Sequence, residues 1–373
     1  MSTKPLRVGV IGADTKASWA GASHIPAIQA QPALVLAAVA TRKEESAKAA
    51  AKAFGAERWY ADPYELIRDE RIDIVTVAVK VPAHRELVLA ALEAKKAVYC
   101  EAPLGATLAE TEEMAAAAGA LHTAIGLQGR MNPSVRRAAE LIAAGKIGRL
   151  MSAHVTATTF GYGPQSSSVY DYFNKAASGA SFMTITAAHV LDVVEALLGN
   201  IIEVDARTEL LWPEVQLLDT GKTSVREIPD HLDLIAKTAR GASVSVQVLA
   251  GVPAGEAQFV LAIRGSEGWL KLTGNHVAGV QVGDLILSAS VGFEAPERAI
   301  ASGATAADFW KGAAINVGEV YACLARDISA GTFATPGFSH AVHNSRLIAA
   351  VERAAQTGER QREFAGSKAA PAV

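Results

Sequence analysis

Leu6-Arg7-Val8-Gly9-Val10-Ile11-Gly12 is an apolar run that stops on glycine, and a second run, Leu34-Val35-Leu36-Ala37-Ala38-Val39-Ala40, stops on Thr41-Arg42-Lys43. A buried strand, a glycine turn, a helix and a second buried strand form the opening of a dinucleotide-binding βαβ unit. The turn lets backbone N–H groups face a pyrophosphate, and the end of the second strand reaches the ribose. A standard G-x-G-x-x-G would place glycine at position 14, where this chain has Asp14. The turn then continues through Thr15, Lys16, Ala17, Ser18 and Trp19 before Gly21. Such a loop suits a lid of side chains over the phosphates, which makes Gly12, Asp14, Lys16 and Trp19 candidate cofactor contacts. Asp14 is unfavourable beside an anion unless it points outward or caps the helix, and Lys16 can offset it. Many surface turns share this pattern, so the glycine alone decides little.

The end of the second strand says more. Sites selective for NAD usually place a carboxylate there, whereas NADP sites place a cation. Thr41 and Arg42, followed by Lys43, offer a hydroxyl and two positive charges to a 2′-phosphate. NADP is therefore the expected cofactor, with NAD left open. The plainer alternative is that Arg42 and Lys43 only solvate the start of the next helix.

With 373 residues, half of them hydrophobic, the chain is too long for one ordinary core and fits two domains. A formal charge of −3 and the absence of a basic run argue against nucleic acid as a partner. Cys100 and Cys323 have no metal-ligand spacing and suggest no disulfide framework, so no metal is expected. Met1-Ser2-Thr3-Lys4-Pro5 leads into the first strand without a signal-peptide apolar region, and no apolar stretch suits a membrane span. A cytoplasmic protein without membrane partners is expected.

Strands and helices alternate through the first third: a helix over Glu44 to Phe54, a capped start at Asp62-Pro63-Tyr64-Glu65, a strand over Ile72 to Val79, a helix over Pro82 to Lys95, and a strand over Ala97 to Cys100. A capping box at Thr107-Leu108-Ala109-Glu110 and a strand from Thr123 complete the series. Repeated βαβ units predict a doubly wound parallel sheet of the Rossmann type over residues 1–130. Beyond it, long alternating runs at Met151 to Phe160, Ile201 to Leu210, Leu232 to Thr238, Ser243 to Ala250, Phe259 to Arg264 and Trp269 to Leu272 have one apolar and one polar face. They predict a C-terminal α+β domain over 131–358 with a large open, mostly antiparallel sheet, closed by helices near 310–330 and 338–356. Residues 359–373 read as a flexible tail. The open sheet face suggests a homodimer or homotetramer.

In this order and spacing the chain resembles the glucose–fructose oxidoreductase/inositol dehydrogenase/MocA family over nearly its whole length. The likeness is carried by Val8 to Gly12, His24-Ile25-Pro26-Ala27, Val79-Lys80-Val81-Pro82-Ala83-His84, Cys100-Glu101-Ala102-Pro103-Leu104, Gly179-Ala180, His189-Val190-Leu191-Asp192 and Ile263 to Gly268. Within it, Lys80-Val81-Pro82 with His84, the Trp19-bearing loop and Pro103-Leu104-Gly105 look like the branch of the fungal galactose-regulon repressor and its bacterial homologues. That repressor binds NAD(P) and acts as a regulator, so the resemblance alone leaves chemistry open. It implies cofactor contacts at Lys80, His84, Glu101 and Gln128.

The family's diagnostic tripeptide is Glu-Lys-Pro, whose lysine lies by the nicotinamide. This chain has Glu101-Ala102-Pro103, with a methyl group in the lysine position. A missing acid/base group typically costs about 10²–10⁴-fold in rate. His189 occupies the position of the family's catalytic histidine and suits proton transfer near neutrality. The common carboxylate four residues upstream is Ile185 here, and Asp192, three residues on, is the candidate to orient the ring. Lys80, at the end of the strand from Ile72, is a second candidate for substrate oxygen or cofactor ribose, against the alternative of a solvated strand-end cation. Arg130 and the tyrosines of the Gly161 to Gly179 segment, Tyr162, Tyr170 and Tyr172, are candidate substrate contacts by hydrogen bonding and stacking. His231 and Asp233 read as structural.

Three readings follow. The leading one is an NAD(P)-dependent oxidoreductase acting on CH–OH groups of a sugar, sugar acid or related small polyol. The second is a catalytically silent NAD(P)-binding sensor or regulator. The third, a lyase or epimerase with retained nicotinamide, has no specific residue behind it.

Overall fold

The computed structural model describes residues 4–16, 18–300, 310 and 312–362. The chain divides into two compact units, Met1–Gln128 with Arg298–Val342, and Gly129–Glu297 with His343–Val373.

The first unit is built on six parallel strands: β1 Leu6–Ile11, β2 Leu34–Ala40, β3 Arg58–Tyr60, β4 Ile74–Val77, β5 Ala97–Cys100 and β6 Thr123–Ile125. Their order is β3-β2-β1-β4-β5-β6, so the chain reverses its direction of travel between β1 and β4. Because all six run in parallel, their carboxyl ends share one edge, and the reversal opens a crevice there. Val8, Val10, Ile74, Val75, Val77, Val98 and Cys100 are buried, as continuous apolar strands covered on both faces must be. The connecting helices start on the expected caps. Asp62 accepts from the Tyr64 N–H before Pro63–Arg68, and Thr107 accepts from the Glu110 N–H before Leu108–Ala118.

The division falls between Gln128 and Gly129, and the segment 298–342 belongs to the first unit. Its helix Ala313–Ala330 is apolar on several faces. It packs against the 20–31 segment, where Gln31 Nε2 donates to Gly318 O at 3.0 Å, and carries Tyr321 into the first core. Spatial order here departs from chain order.

The second unit carries an eight-stranded sheet. Its members are β7 Leu150–Thr159, β9 Ile201–Glu209, β12 His231–Thr238, β13 Ser243–Ala250, β14 Phe259–Gly265, β15 Trp269–Gly274, β16 Ile286–Ala289 and β17 Gln361–Arg362. The order is β16-β15-β14-β7-β13-β12-β9-β17, antiparallel except for the β7–β13 pair. Val244, Val246 and Val248 face the core while Ser243 and Gln247 stay exposed, the period-two pattern of a sheet with one buried face. A small sheet, β8 Gln165–Ser166, β10 Glu214–Leu217 and β11 Lys222–Val225, lies in the order β11-β10-β8. Residues 360–362, expected to belong to a flexible tail, are held in place. Gln361–Arg362 pair with β9, Arg360 and Arg362 bond to Glu203, and Arg360 also reaches Asp205. Residues 363–373 lie outside the described residues.

One buried ion pair organises the loops of this unit. Arg226 and Asp230 are both almost fully buried, 2.9 Å apart. Arg226 donates to Tyr162 O, to Gly163 O at 3.0 Å and to Asn174 Oδ1 at 3.0 Å. Asp230 accepts from the Leu211 and Trp212 N–H groups at 2.8 and 2.9 Å. Removing one member of such a pair leaves the other charge buried alone. Arg226→Met is therefore expected to destabilise the chain by about 3–5 kcal/mol, read as a lower urea midpoint with an unchanged slope. An unchanged midpoint would refute this role.

Candidate functional site

At the carboxyl edge of the first sheet lies a cleft of about 860 Å³. Gly12, Thr41 to Lys43 and Ala78 to Lys80 line it from the ends of β1, β2 and β4, with Asp14, Thr15 and Lys16 from the first turn and Ser46 and Tyr64 from the following helices. Gly12 is irreplaceable on two counts. Its φ is +100°, a left-handed value that side chains resist. A Cβ there would also lie 2.2 Å from Ala78 O. The glycine thus lets β1 pass tightly against β4 and keeps the turn open.

Asp14 does not crowd this space with unused charge. Its Oδ1 accepts from the Lys16 N–H at 2.7 Å, and its backbone carbonyl accepts from Ser18 Oγ at 2.6 Å, so it braces the loop. At the end of β2, Thr41 Oγ1 and Ser46 Oγ are 2.6 Å apart, and Ser46 Oγ donates to Lys43 O at 2.9 Å. Arg42 and Lys43 are exposed beside this hydroxyl pair. No carboxylate stands at the strand end, although Glu45 lines the cleft from the first turn of the next helix. The volume suits a dinucleotide-sized ligand. The cations, hydroxyls and glycine turn fit its phosphates and ribose.

The cleft brings together Gly12, Asp14, Lys16, Thr41, Arg42 and Lys80 of the residues singled out by sequence. Four others stand elsewhere. Trp19 packs edge-on against Trp310 with centroids 5.5 Å apart. His84 is buried with Nε2 3.0 Å from Val79 O and Nδ1 3.1 and 3.2 Å from Pro103 O and Leu104 O, so it fastens backbone together. Burial pushes its proton affinity down. Glu101 bonds to His24, Nε2 to Oε1 at 2.8 Å. Gln128 is buried. Ser46 and Tyr64 were not singled out by sequence. A hydroxyl five residues after Thr41 at the start of a helix was the available signal for Ser46.

In the second unit, His189 is buried in the first turn of the helix Ala188–Leu198. Asp192, three residues on, accepts at its Oδ1 from Arg130 Nη1 at 2.9 Å. Arg130 therefore spends part of its guanidinium on a fully buried carboxylate. One further turn on, Glu195 takes His343 Nε2 at 2.8 and 3.0 Å and the Ile201 N–H at 2.7 Å. Against the cost of its burial, this carboxylate raises the proton affinity of His343. His189, Asp192 and Glu195 thus recur every three residues along the helix, the last two bonded to Arg130 and His343 from other elements.

The tyrosine segment is a packed aromatic cluster around Phe173. Tyr162 has a φ of +59° and meets Phe173 and Phe182 edge-on, at 5.7 and 5.9 Å. Burial pushes its hydroxyl well up, and that of Tyr172 up to about 12. Tyr162 is thus partly buried and packed against the second core. Tyr170 stacks on Phe173 at 6.1 Å and is 41% exposed, which leaves one face for a ligand. Among the described residues no cluster of His, Cys, Asp and Glu could hold a metal ion, and no helix is long and apolar enough to cross a membrane.

Comparison with known proteins agrees with this architecture. Residues 6–127 match the model of an oxidoreductase family with an NAD-binding Rossmann fold, and residues 133–274 match the C-terminal domain of Gal80p. A dehydrogenase of Aspergillus oryzae, aclE, is 33% identical over 251 residues, which cover 64% of this chain and 68% of the relative. The galactose/lactose metabolism regulatory protein GAL80 of Saccharomyces cerevisiae is 29% identical over 307 residues, 76% and 70% of the two chains. The structure of a levoglucosan dehydrogenase in complex with NADH and L-sorbose superimposes with a TM-score of 0.78 at 23% identity, over 96% of this chain and 99% of the other, a likeness of fold. The chain belongs to the glucose–fructose oxidoreductase/inositol dehydrogenase/MocA family of NAD-binding Rossmann-fold proteins, in the branch that includes Gal80.

Proposed function

We propose that the protein is an NADP-dependent oxidoreductase that interconverts an alcohol or hemiacetal with a carbonyl on a sugar, sugar acid or related small polyol. The observation that carries this reading is the end of β2. There Thr41, Ser46, Arg42 and Lys43 surround one corner of the cleft with hydroxyls and positive charge where an NAD site would place a carboxylate. A 2′-phosphate is recognised by such groups, because its oxygens accept charge-assisted hydrogen bonds. The bound nicotinamide would supply the hydride acceptor or donor. Gly12 and the Lys16 loop hold the pyrophosphate, and Lys80 offers an ammonium to a ribose or substrate oxygen. His189 accepts the proton of the alcohol, a role that suits a neutral imidazole near pH 7. Arg130, tied to Asp192, and the exposed face of Tyr170 supply polar and stacking contacts to a polyhydroxy ring. The wet, open face of the large sheet favours a homodimer or homotetramer, and the reading includes a cytoplasmic location.

Cofactor choice is tested at Thr41. Thr41→Asp puts a carboxylate where a 2′-phosphate would lie and is expected to weaken NADPH binding by about 10- to 100-fold. NADH binding should be unchanged or tighter, read by energy transfer from tryptophan to the reduced nicotinamide. Equal effects on both nucleotides would refute the NADP preference.

A second reading, a nucleotide-binding regulator, is favoured by Ala102 in the lysine position and by the likeness to GAL80. Nucleotide binding without turnover across polyols and aldehydes would establish it.

A further inference from the structure

The first unit holds a chain of polar side chains outside the lining of the cleft. His24 stands between Glu101 and Tyr321, with Nε2 2.8 Å from Glu101 Oε1 and Nδ1 3.0 Å from the Tyr321 hydroxyl. That hydroxyl lies 2.6 Å from Thr76 Oγ1. The four residues come from four segments: the 20–24 turn, the end of β5, the helix Ala313–Ala330 and β4. His24, Tyr321 and Thr76 are fully buried, while the Glu101 side chain keeps 14% exposure. The His24 ring is further wedged edge-on between Tyr99 at 4.9 Å and Tyr321 at 5.7 Å. Burying this many polar groups costs stability that aliphatic side chains would not, so their retention calls for another use.

Counting protons gives the chain a direction. Burial pushes the Tyr321 hydroxyl well up, so it keeps its single proton. With Glu101 ionised, one arrangement satisfies all three bonds with neutral groups. Thr76 donates to Tyr321, Tyr321 donates to His24 Nδ1, and His24 Nε2–H donates to Glu101. Hydrogen bonds in series polarise one another, and here each points its donor toward the carboxylate.

The other carboxylate oxygen is left for something else. Among the described residues none donates a hydrogen bond to Glu101 Oε2. Gly126 makes room beside it, since a Cβ at 126 would lie 2.8 Å from that oxygen. The Glu101 N–H bonds to Val77 O at 3.1 Å, which fixes the residue at the carboxyl edge of the sheet next to β4. In a doubly wound sheet that edge is where ligands lie.

We propose that His24, Tyr321 and Thr76 are positioning residues that hold Glu101 as an ionised acceptor of fixed direction for a ring hydroxyl of the bound ligand, one residue before the alanine that replaces the family's lysine. The inference rests on the reading of the first unit as a nicotinamide-nucleotide site. The hydroxyl belongs either to the ribose of the nucleotide or to the polyol, and the two are separable. A carboxylate bonded on one side by a mobile side chain swings; one tied to a ring that is itself buried and wedged between aromatic neighbours does not, and a pre-aimed acceptor binds without that ordering cost.

The test uses the full chain and four variants: Glu101→Gln, His24→Leu, His24→Gln and Tyr321→Phe. Glu101→Gln and His24→Leu are expected to weaken hydroxyl recognition by about 10- to 100-fold, as loss of a hydrogen bond to a charged group does. His24→Gln, whose amide can donate to Glu101, should recover most of it. Tyr321→Phe, which keeps the shape, should lose about 2- to 5-fold, the scale of one neutral hydrogen bond at its weak end. A loss in NADPH and NADH affinity assigns the hydroxyl to ribose. A loss confined to KM for the polyol assigns it to substrate. Nitrogen-15 NMR of the unliganded chain should show His24 as the Nε2–H tautomer, reversed or mixed in Glu101→Gln. Wild-type binding and turnover in both His24→Leu and Tyr321→Phe would overturn the proposal, as would a His24 tautomer indifferent to residue 101. If His24→Leu fails to fold, Tyr321→Phe and the NMR arm decide. A wild-type chain that binds neither nucleotide refutes the nicotinamide reading, and with it the ligand of Glu101, whatever the NMR shows of the relay.

Discussion

Ala102→Lys is expected to raise nicotinamide-linked oxidation of a polyol by about 10²–10⁴-fold, the usual worth of a well-placed acid/base group. Residue 102 follows Glu101 at the carboxyl edge of the first sheet, where the family's tripeptide carries its lysine. The alanine there is only half-buried, so a longer side chain has an outlet. An ammonium at this position can donate to the substrate oxygen as charge develops on it, which a methyl group cannot. The increase should appear in kcat more than in KM, because a donor that strengthens with developing charge acts chiefly on the transition state. It is measured as reduced nicotinamide formed against a panel of sugars, sugar acids and inositols. No gain on any of them, with cofactor affinity intact, would favour the regulator.

His189→Asn is expected to remove turnover by a similar factor, about 10²–10⁴-fold, while NADPH still binds. The ring sits in the first turn of the Ala188–Leu198 helix, which also carries Asp192 and Glu195, bonded to Arg130 and His343. Asparagine keeps a polar group of similar reach but cannot accept a proton near pH 7. Loss of rate with retained binding separates a proton-transfer role from a structural one. A folded variant with wild-type turnover would remove His189 from the mechanism. The combination with Ala102→Lys is informative, since groups acting on one proton give strongly non-additive effects.

The fold was legible where periodicity had room to express itself. Strands of eight to ten residues, such as β7, β9, β12 and β13, carry three or more alternations, and β2 a continuous apolar run of seven, so they read clearly. Arg58–Tyr60, Gln165–Ser166, Lys222–Val225 and Ile286–Ala289 are too short to show a period, and they escaped notice. The helix Ala313–Ala330 was recognised but placed in the wrong unit, because its amphipathic pattern says that it packs and not on what. Of the site, Gly12 and the Thr41-Arg42-Lys43 end of β2 were readable as local chemistry. The His24–Tyr321 contact joins residues 297 positions apart and leaves no local trace. Asp192 shows the same limit: its spacing from His189 was visible, its bond to Arg130 was not. Tyr162 was readable as one of three candidate contacts in its segment, but its positive φ, the Arg226 bond to its carbonyl and its contact with Phe182 left no local trace.

Isothermal titration of the chain with NADPH and with NADH tests the central claim most directly. The account predicts one NADPH bound per chain, more tightly than NADH. Absence of heat with both nucleotides at concentrations up to about 1 mM, where even a weak specific site would fill, would contradict it.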